Sequence, residues 1–518
     1  MFNDSDRSYR RSRVSELCAD VSCDYILPDY LGEVRKILFT EARAVPLPTY
    51  MNGEDACVSG TVHFKMVYMD SENRLSCAEF TEDYEMAERL GGDGLLGAGA
   101  NTAVSGYSMR LLGPRKISAR AKVEADLTAV SEAENEVGGN AFDVGEVELA
   151  TRKILVRDTV LCESVEREYA DQLVFLEGAI SDEVEVPYST VECVVEDCRV
   201  KDGEIWVSGE HTVSALVKCG DEPIYLMKCA IPFAESFMAE NLADGMYALC
   251  DVCATSLKIS QNPTETGTSV TASLIAEYTP RALGNREATV VTDGYMKECA
   301  VATEHSELEA EELIYASTLS DKLETAASLE ELSLGDVRDL LSVKTEVGVG
   351  SVEICDGGVK VTCDIKFSGV ACEVNEDSAV TYLPLKHTAR LVKEIPIDCE
   401  SPDRVRAEIM PVAHSAEGYI EGDNLCLSVC VMLDAAVYEN KRYRVLSSIE
   451  ATDETFESFG GKTVFVYYPD ADDTLFSVAR KFHTTTERIA IDNALTEAAV
   501  ADKSAPSSLV GVNKLIIK

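Results

Sequence analysis

A pattern of alternating apolar and polar residues recurs along the chain at intervals of about 150 residues. It occurs at 58–68, again at 207–217 and, more diverged, at 361–367. A period of two residues is typical of a half-buried β-strand. A second strand-like segment follows each copy, at 117–123, 270–274 and 425–431. The sequence therefore predicts three tandem, mainly antiparallel β units.

Composition and these recurrences together predict the limits of the domains. Each interval is long enough to fold as a domain of its own. The predicted segments are a polar N-terminal arm at 1–22, three β-rich repeats at 23–135, 136–303 and 304–450, a linker at 451–462 and a small module at 463–518. Within this mainly β plan we expect short helices, with helical character at 79–90 and at 304–331.

The C-terminal module has the most specific local pattern. Residues 463–468 alternate as a short strand does, and 469–474 interrupt it. A helix is predicted next, with Asp473 or Thr474 at its N-cap. Its apolar stripe consists of Leu475, Val478, Ala479 and Phe482. A capping box of Thr484 and Glu487 predicts a second helix, which runs through Ile491 and is closed by Asn493, and 510–517 supply a turn and a returning strand.

This module resembles LysM modules, which share the order strand, helix, helix, strand. The matching positions are Asp473-Thr474-Leu475, Val478-Ala479, Asn493, Gly511 and Leu515-Ile516. The glycine that usually precedes the Asp-Thr-Leu motif is Asp472 here, and Phe476 follows the leucine. The resemblance implies a βααβ fold and a surface that binds either N-acetylglucosamine polymers or a protein.

The repeats resemble SPOCS domains, and Pro28-Asp29-Tyr30 precedes the first of them. Three such repeats followed by a LysM module resemble the SipL-type family of spore coat morphogenetic proteins. The resemblance implies a protein of the mother-cell cytoplasm that acts at the forespore surface. It also implies a partner resembling stage IV sporulation protein A, the ATPase of the coat basement, which the LysM module would bind.

Charge narrows the choice of partners. The chain has 91 acidic and 47 basic residues, for a net charge of −44. Such a charge repels phosphate backbones, so a nucleic-acid partner is not expected. The module at 463–518 has seven acidic and six basic residues, so nearly all the negative charge lies upstream. We see neither an export signal nor a membrane-spanning run, and therefore expect a cytoplasmic protein.

The sequence gives little support to catalysis. The GxGxxG match at 92–97 lacks the expected preceding strand, and the six histidines are scattered. Cys250 and Cys253 form a lone CxxC motif, and we expect free thiols among the 18 cysteines. We therefore predict no enzyme activity, catalytic residue, metal or cofactor. Trp206, the one tryptophan, is either an interface anchor or packs against the next domain.

The candidate binding residues lie on the C-terminal module: Asp472, Asp473, Thr474, Phe476, Arg480 and Asn493. Asp473, Thr474 and Asn493 match the LysM surface that holds sugars. Asp472 adds a side chain and a charge where glycine would let a sugar approach, which weakens the glycan hypothesis. Phe476 either completes the small core or, with Arg480 at its rim, contacts a protein.

Two functions remain open on the sequence. The first is a non-enzymatic structural protein of spore coat assembly that docks through its LysM module on the basement ATPase. The alternative is LysM-mediated binding of peptidoglycan at the cell wall or the spore cortex, with the repeats as spacers.

Overall fold

A computed structural model describes residues 8–90, 95–133, 147–175, 184–220, 223–239, 241–264, 267–335, 337–374, 380–456, 464–496 and 503–518. The chain is mainly β, as predicted: these residues form twenty-two strands and two α-helices. Both α-helices lie in the C-terminal module. Among the same residues, no helix has the length and apolarity needed to cross a membrane.

The first part of the chain forms two antiparallel sheets. Its strands are β1 (Ser8–Ile26), β2 (Val34–Pro46), β3 (Tyr50–Asn52), β4 (Asp55–Asp70), β5 (Leu75–Arg89), β6 (Leu95–Gly113) and β7 (Lys116–Ala133). Sheet A has the order β1-β7-β6, so β7, the last of the three along the chain, lies between β1 and β6. Sheet B contains β2, β4 and β5 as a meander, with the short β3 also paired to β4.

The same order of pairing occurs in the middle of the chain. The strands are β8 (Val147–Leu161), β9 (Val165–Phe175), β10 (Val184–Lys201), β11 (Glu204–Cys219), β12 (Tyr225–Met238), β13 (Tyr247–Thr264) and β14 (Gly267–Met296). Sheet C has the order β13-β14-β8, with β9 also paired to β14. Sheet D is the meander β10-β11-β12.

The same order of pairing occurs a third time, in sheets E and F. The strands are β15 (Cys299–Ser328), β16 (Val337–Cys355), β17 (Gly358–Val374), β18 (Val380–Pro396), β19 (Val405–Glu421) and β20 (Asn424–Thr455). Sheet E has the order β15-β20-β19, and sheet F is the meander β16-β17-β18. We call sheets A to F together the array.

The C-terminal module is built from β21 (Phe465–Tyr467), α1 (Leu475–Lys481), α2 (Thr486–Asn493) and β22 (Leu515–Ile517). β21 and β22 form a two-stranded antiparallel sheet.

Several segments differ from expectation. Residues 8–22 of the predicted arm belong to β1, which obtains its backbone hydrogen bonds from β7. The segments 79–90 and 304–331, expected to be helical, fall largely in β5 and β15. In β5 the buried Ala78, Tyr84 and Met86 keep the two-residue period of a strand. The predicted limits at 303/304 and 450/451 fall inside β15 and β20, and 92–94 of the GxGxxG match lie outside the described residues.

The three meander sheets meet in one central cluster. Sheet B contributes Phe39 and Val67, sheet D contributes Tyr188 and Leu216, and sheet F contributes Val370, all of them buried. The rings of Phe39 and Tyr188 meet edge to face at 5.3 Å. The array is therefore closed around a shared core and is not an open row of domains.

A carboxylate is held beside this cluster. Glu41 accepts hydrogen bonds from Lys344 at 2.6 Å and from the Tyr188 hydroxyl at 2.9 Å, so sheets B, D and F all contribute. Burial alone would raise the pKa of Glu41, but the Lys344 ammonium, Lys65 and the Tyr188 hydroxyl outweigh it and lower the pKa. The ionised carboxylate is thus the form that the junction stabilises.

Two glycines lie where a strand in the middle of a sheet passes close to its neighbours. A Cβ added at Gly209 would lie 2.0 Å from the Val194 carbonyl oxygen and 2.8 Å from the Phe233 ring. At Gly60 it would lie 2.4 Å from the Val45 carbonyl oxygen and 2.6 Å from the Tyr84 hydroxyl. Each glycine thus has a ring from the next strand across it, in sheets B and D alike.

We predict that Gly209→Ala lowers the free energy of unfolding by about 2 kcal/mol, because backbone atoms must shift to admit the methyl group. Urea denaturation measures this loss. Gly348→Ala is the matched control, because nothing lies within 4 Å of a Cβ added there. Equal denaturation midpoints for the two variants would contradict the prediction.

A buried histidine lies between sheets C and D. The His211 Nε2 is 2.8 Å from the Tyr278 hydroxyl, whereas its Nδ1 has no hydrogen-bond partner. The ring stacks on Phe233 with centroids 4.5 Å apart. Burial lowers the pKa of His211 from 6.5 to about 4. The fold therefore holds the neutral imidazole.

We predict that acid destabilises the fold through His211. The unfolded chain takes up a proton near pH 6.5 and the folded chain only near pH 4, so stability is lost as the pH falls between these values, by about 3 kcal/mol in all. Urea denaturation at pH 7 and pH 5 measures the slope. His211→Phe should flatten it, whereas His305→Phe, at a partly exposed position, should not. The same slope in His211→Phe and wild type would refute the assignment.

Candidate functional site

The helices of the C-terminal module begin with side-chain caps. Thr474 caps α1: its hydroxyl accepts from the Ser477 amide, and the Ser477 hydroxyl accepts from the Thr474 amide, both at 2.9 Å. Thr485, one residue later than predicted, caps α2 by accepting from the Arg488 amide. Ala494 ends α2 in the left-handed conformation. The order strand, helix, helix, strand is therefore the one that the residues predict.

The inner face of α1 forms the core of the module. Leu475, Val478 and Ala479 are fully buried, together with Ile489 of α2 and Leu515 of β22. The Phe482 ring, just beyond α1, packs against the rings of Phe465 and Tyr467. This is the apolar stripe expected from the sequence, and it is sufficient to give the module its own core.

A second set of side chains from α1 and its end faces the array, and we call it the joint stripe. It consists of Phe476 and Arg480, one turn apart, and of His483 after the helix. The Phe476 ring meets Tyr295 of β14 edge to face at 5.1 Å, and Arg480 Nη1 lies 2.6 Å from Asp293 Oδ2. The His483 ring stacks on Phe456, just after β20, at 3.8 Å. Phe476 is therefore buried against another part of the same chain.

Further hydrogen bonds connect the module to sheet C. Glu148 of β8 accepts from the Thr486 hydroxyl and from the Lys503 ammonium, each at 3.0 Å. The Tyr295 hydroxyl donates to the Thr484 carbonyl oxygen at 2.7 Å. Burial, with the nearby Glu148 carboxylate, raises the pKa of Tyr295 and keeps it a neutral donor. We call Glu148, Asp293 and Tyr295 the array edge.

The residues predicted to contact a sugar are bonded within the module. The Asp473 carboxylate accepts from the Tyr467 hydroxyl and the Asp470 amide, and these bonds lower the pKa of Asp473 although burial acts to raise it. The Asn493 side chain bonds the Ile489 carbonyl and both backbone groups of Ile516. With Thr474 used as a cap, all three predicted sugar contacts have structural roles. Asp472, which was expected to hinder a sugar, is exposed.

A second apolar surface of the module faces solvent. Val466 of β21 and the two residues that flank the strand, Val464 and Tyr468, occupy alternate positions and are 54 %, 60 % and 69 % exposed. We call them the β21 stripe. The inward neighbours Phe465 and Tyr467 belong to the module core. The module therefore has one interface stripe that is covered by the array and one that is free.

The remaining candidates from the sequence do not converge on a site. Cys250 and Cys253 are three residues apart on β13, so their side chains point to opposite faces. Burial raises the pKa of both thiols. The described residues contain no group of three or more potential metal ligands. Trp206 is 44 % exposed on the outer face of sheet D.

Comparison with protein families, with curated proteins and with solved structures finds no match for this chain. The functional argument therefore depends on the geometry of the module and its joint. Sequence reasoning identified Phe476 and Arg480 but missed Tyr295 and Asp293, which contact them from a distant part of the chain. It also missed Glu148, which binds Thr486 and Lys503. The available signal was on α1, where an aromatic and a cation one turn apart lie outside the apolar stripe.

We predict that Asn493→Ala destabilises the module by about 2 kcal/mol, because backbone groups at the end of α2 and on β22 lose their partner. Hydrogen exchange of 515–517 should accelerate correspondingly. Asn513→Ala, at an exposed position before β22, is the matched control. Unchanged exchange in Asn493→Ala would show that Asn493 is free to bind a ligand.

Proposed function

We propose that this chain is a non-enzymatic scaffold of spore coat assembly whose C-terminal module docks on another protein. The family resemblance points to a partner similar to stage IV sporulation protein A, the coat-basement ATPase, and to the forespore surface in the mother-cell cytoplasm. In this proposal the module is a LysM module and the three sheet pairs are diverged SPOCS-like repeats. Sheets A to F then serve as the rigid body that the module attaches to its partner.

One observation carries the docking function. The module already holds a protein surface through Phe476, with Arg480 at the rim of the contact. An aromatic centre with a charged rim is characteristic of protein interfaces. The groups expected to contact a sugar, above all Asn493, are meanwhile bonded internally. This balance favours a protein ligand for the module over a glycan.

The repeat assignment is supported by the recurring order of pairing. In sheets A, C and E the final strand lies between the first strand and the one before it, and a meander forms the partner sheet each time. The pairs Gly60 with Tyr84 and Gly209 with Phe233 occupy corresponding places in sheets B and D. Common descent accounts for the order that all three units share and for the glycine–ring pair that the first two share.

The proposal is tested with the full chain as bait in two assays. In the first, the purified chain is immobilised and exposed to the purified basement ATPase; in the second, it is sedimented with purified peptidoglycan. We expect retention of the ATPase and no cosedimentation with peptidoglycan. A chain that ends at residue 456 is the control and should lose the ATPase. Cosedimentation without ATPase retention would instead support the peptidoglycan-binding alternative.

A further inference from the structure

The joint stripe, the side of the module that contacts the array, has the composition of a protein-binding surface. We propose that the joint stripe is the surface through which the module recognises its protein partner, and that this partner presents an aromatic ring between two carboxylates. In the closed form described here, the chain's own array edge occupies that surface. The inference rests on the proposed function, because it names the face that the docking module uses.

The core of the module is made by Leu475, Val478 and Ala479 with residues of α2 and β22. Phe476 belongs to the same cluster, but its ring also meets Tyr295 of sheet C, and Arg480 reaches Asp293 on the same strand as Tyr295. A helix in a small module requires one apolar stripe, so a second stripe with an aromatic residue indicates an interface.

The array edge shows what the stripe recognises. Asp293 and Tyr295 are two residues apart on β14 and therefore share a face, and Glu148 of β8 is paired directly with Tyr295. Arg480 binds Asp293, and Lys503 binds Glu148. The Tyr295 ring packs on Phe476 between these two ion pairs. An aromatic ring flanked by two carboxylates is thus the complement of the joint stripe together with Lys503.

The closed contact is suited to displacement. The side chains of Arg480 and Asp293 are 48 % and 33 % exposed, and ion pairs this exposed contribute about 0–1 kcal/mol. The apolar part of the joint adds Ala150 and Tyr295 of sheet C to the module's own core. Polar contacts of this kind between domains permit relative motion. A partner with the same chemistry can therefore compete with the array edge.

The test compares full-length chains that differ at the array edge. Asp293→Ala/Tyr295→Ala removes the internal competitor. The matched control is Glu287→Ala, which changes another residue of β14 and breaks an exposed ion pair with Lys153 of β8. Hydrogen exchange of 475–482 reports opening, and titration with the purified basement ATPase reports affinity. Apparent affinity scales with the open fraction, so the double variant should bind about tenfold more tightly than wild type, and the control should not.

Two further variants identify the face. In the open background, Arg480→Glu should abolish the gain in affinity, whereas Val466→Asp/Tyr468→Asp on the β21 stripe should leave it intact. Loss of binding through the β21 stripe alone would overturn the inference and leave the proposed function standing, as would equal affinity of the wild-type and open chains. Absence of ATPase binding by every variant would overturn both.

Discussion

The array depends on the place where its three meander sheets meet. Each pair of sheets has a core of its own, so separate folding would leave three sandwiches joined by short connections. The central cluster of Phe39, Tyr188, Val370 and their neighbours makes them one body. Glu41 makes this apolar contact specific in orientation, because its hydrogen bonds to Lys344 and Tyr188 form only when sheets B, D and F are all in place. The junction therefore fixes the three units in one arrangement.

The array contacts the module through residues of regular strands. Tyr295 and Glu148 lie on paired strands of sheet C, so their spacing is set by a β ladder and not by a flexible loop. The module contributes a short helix whose two sides serve different purposes. Leu475 and Val478 hold the module together, and Phe476 and Arg480 hold it to the array. Burial of Phe476 thus reports an interface as much as a core.

The sequence could predict those strands and helices whose apolar residues recur at a short, regular spacing. The alternation at 207–217 predicts β11, and the apolar stripe of 475–482 predicts α1. The strands at 8–26 and 299–328 were missed because their two-residue period is interrupted. The pairing register shifts between Arg13 and Ser15 in β1, and at Glu304/His305 and Leu313/Tyr315 in β15. The joint was missed for a different reason: Glu148 and Thr486 are 338 residues apart, and no local pattern encodes that contact.

Asn493 illustrates a similar limit. A polar residue at a position matching a sugar-binding motif can equally well satisfy backbone groups, and here both its amide and its carbonyl are engaged by the module. Only the positions of Ile489 and Ile516 in space distinguish the two roles. The role of Asn493 therefore follows from its tertiary contacts and not from its residue type alone.

The course of β14 has a mechanical consequence. Over its 30 residues it pairs with β13 and β9 along its first part and with β8 along its second, and the end of that second part carries Tyr295. Tyr295 is therefore connected through one continuous backbone to the ladders with β13 and β9 as well as to the ladder with β8. A displacement of Tyr295 would have to bend or break one of these ladders, so the surface that the module contacts keeps a fixed position relative to the rest of sheet C.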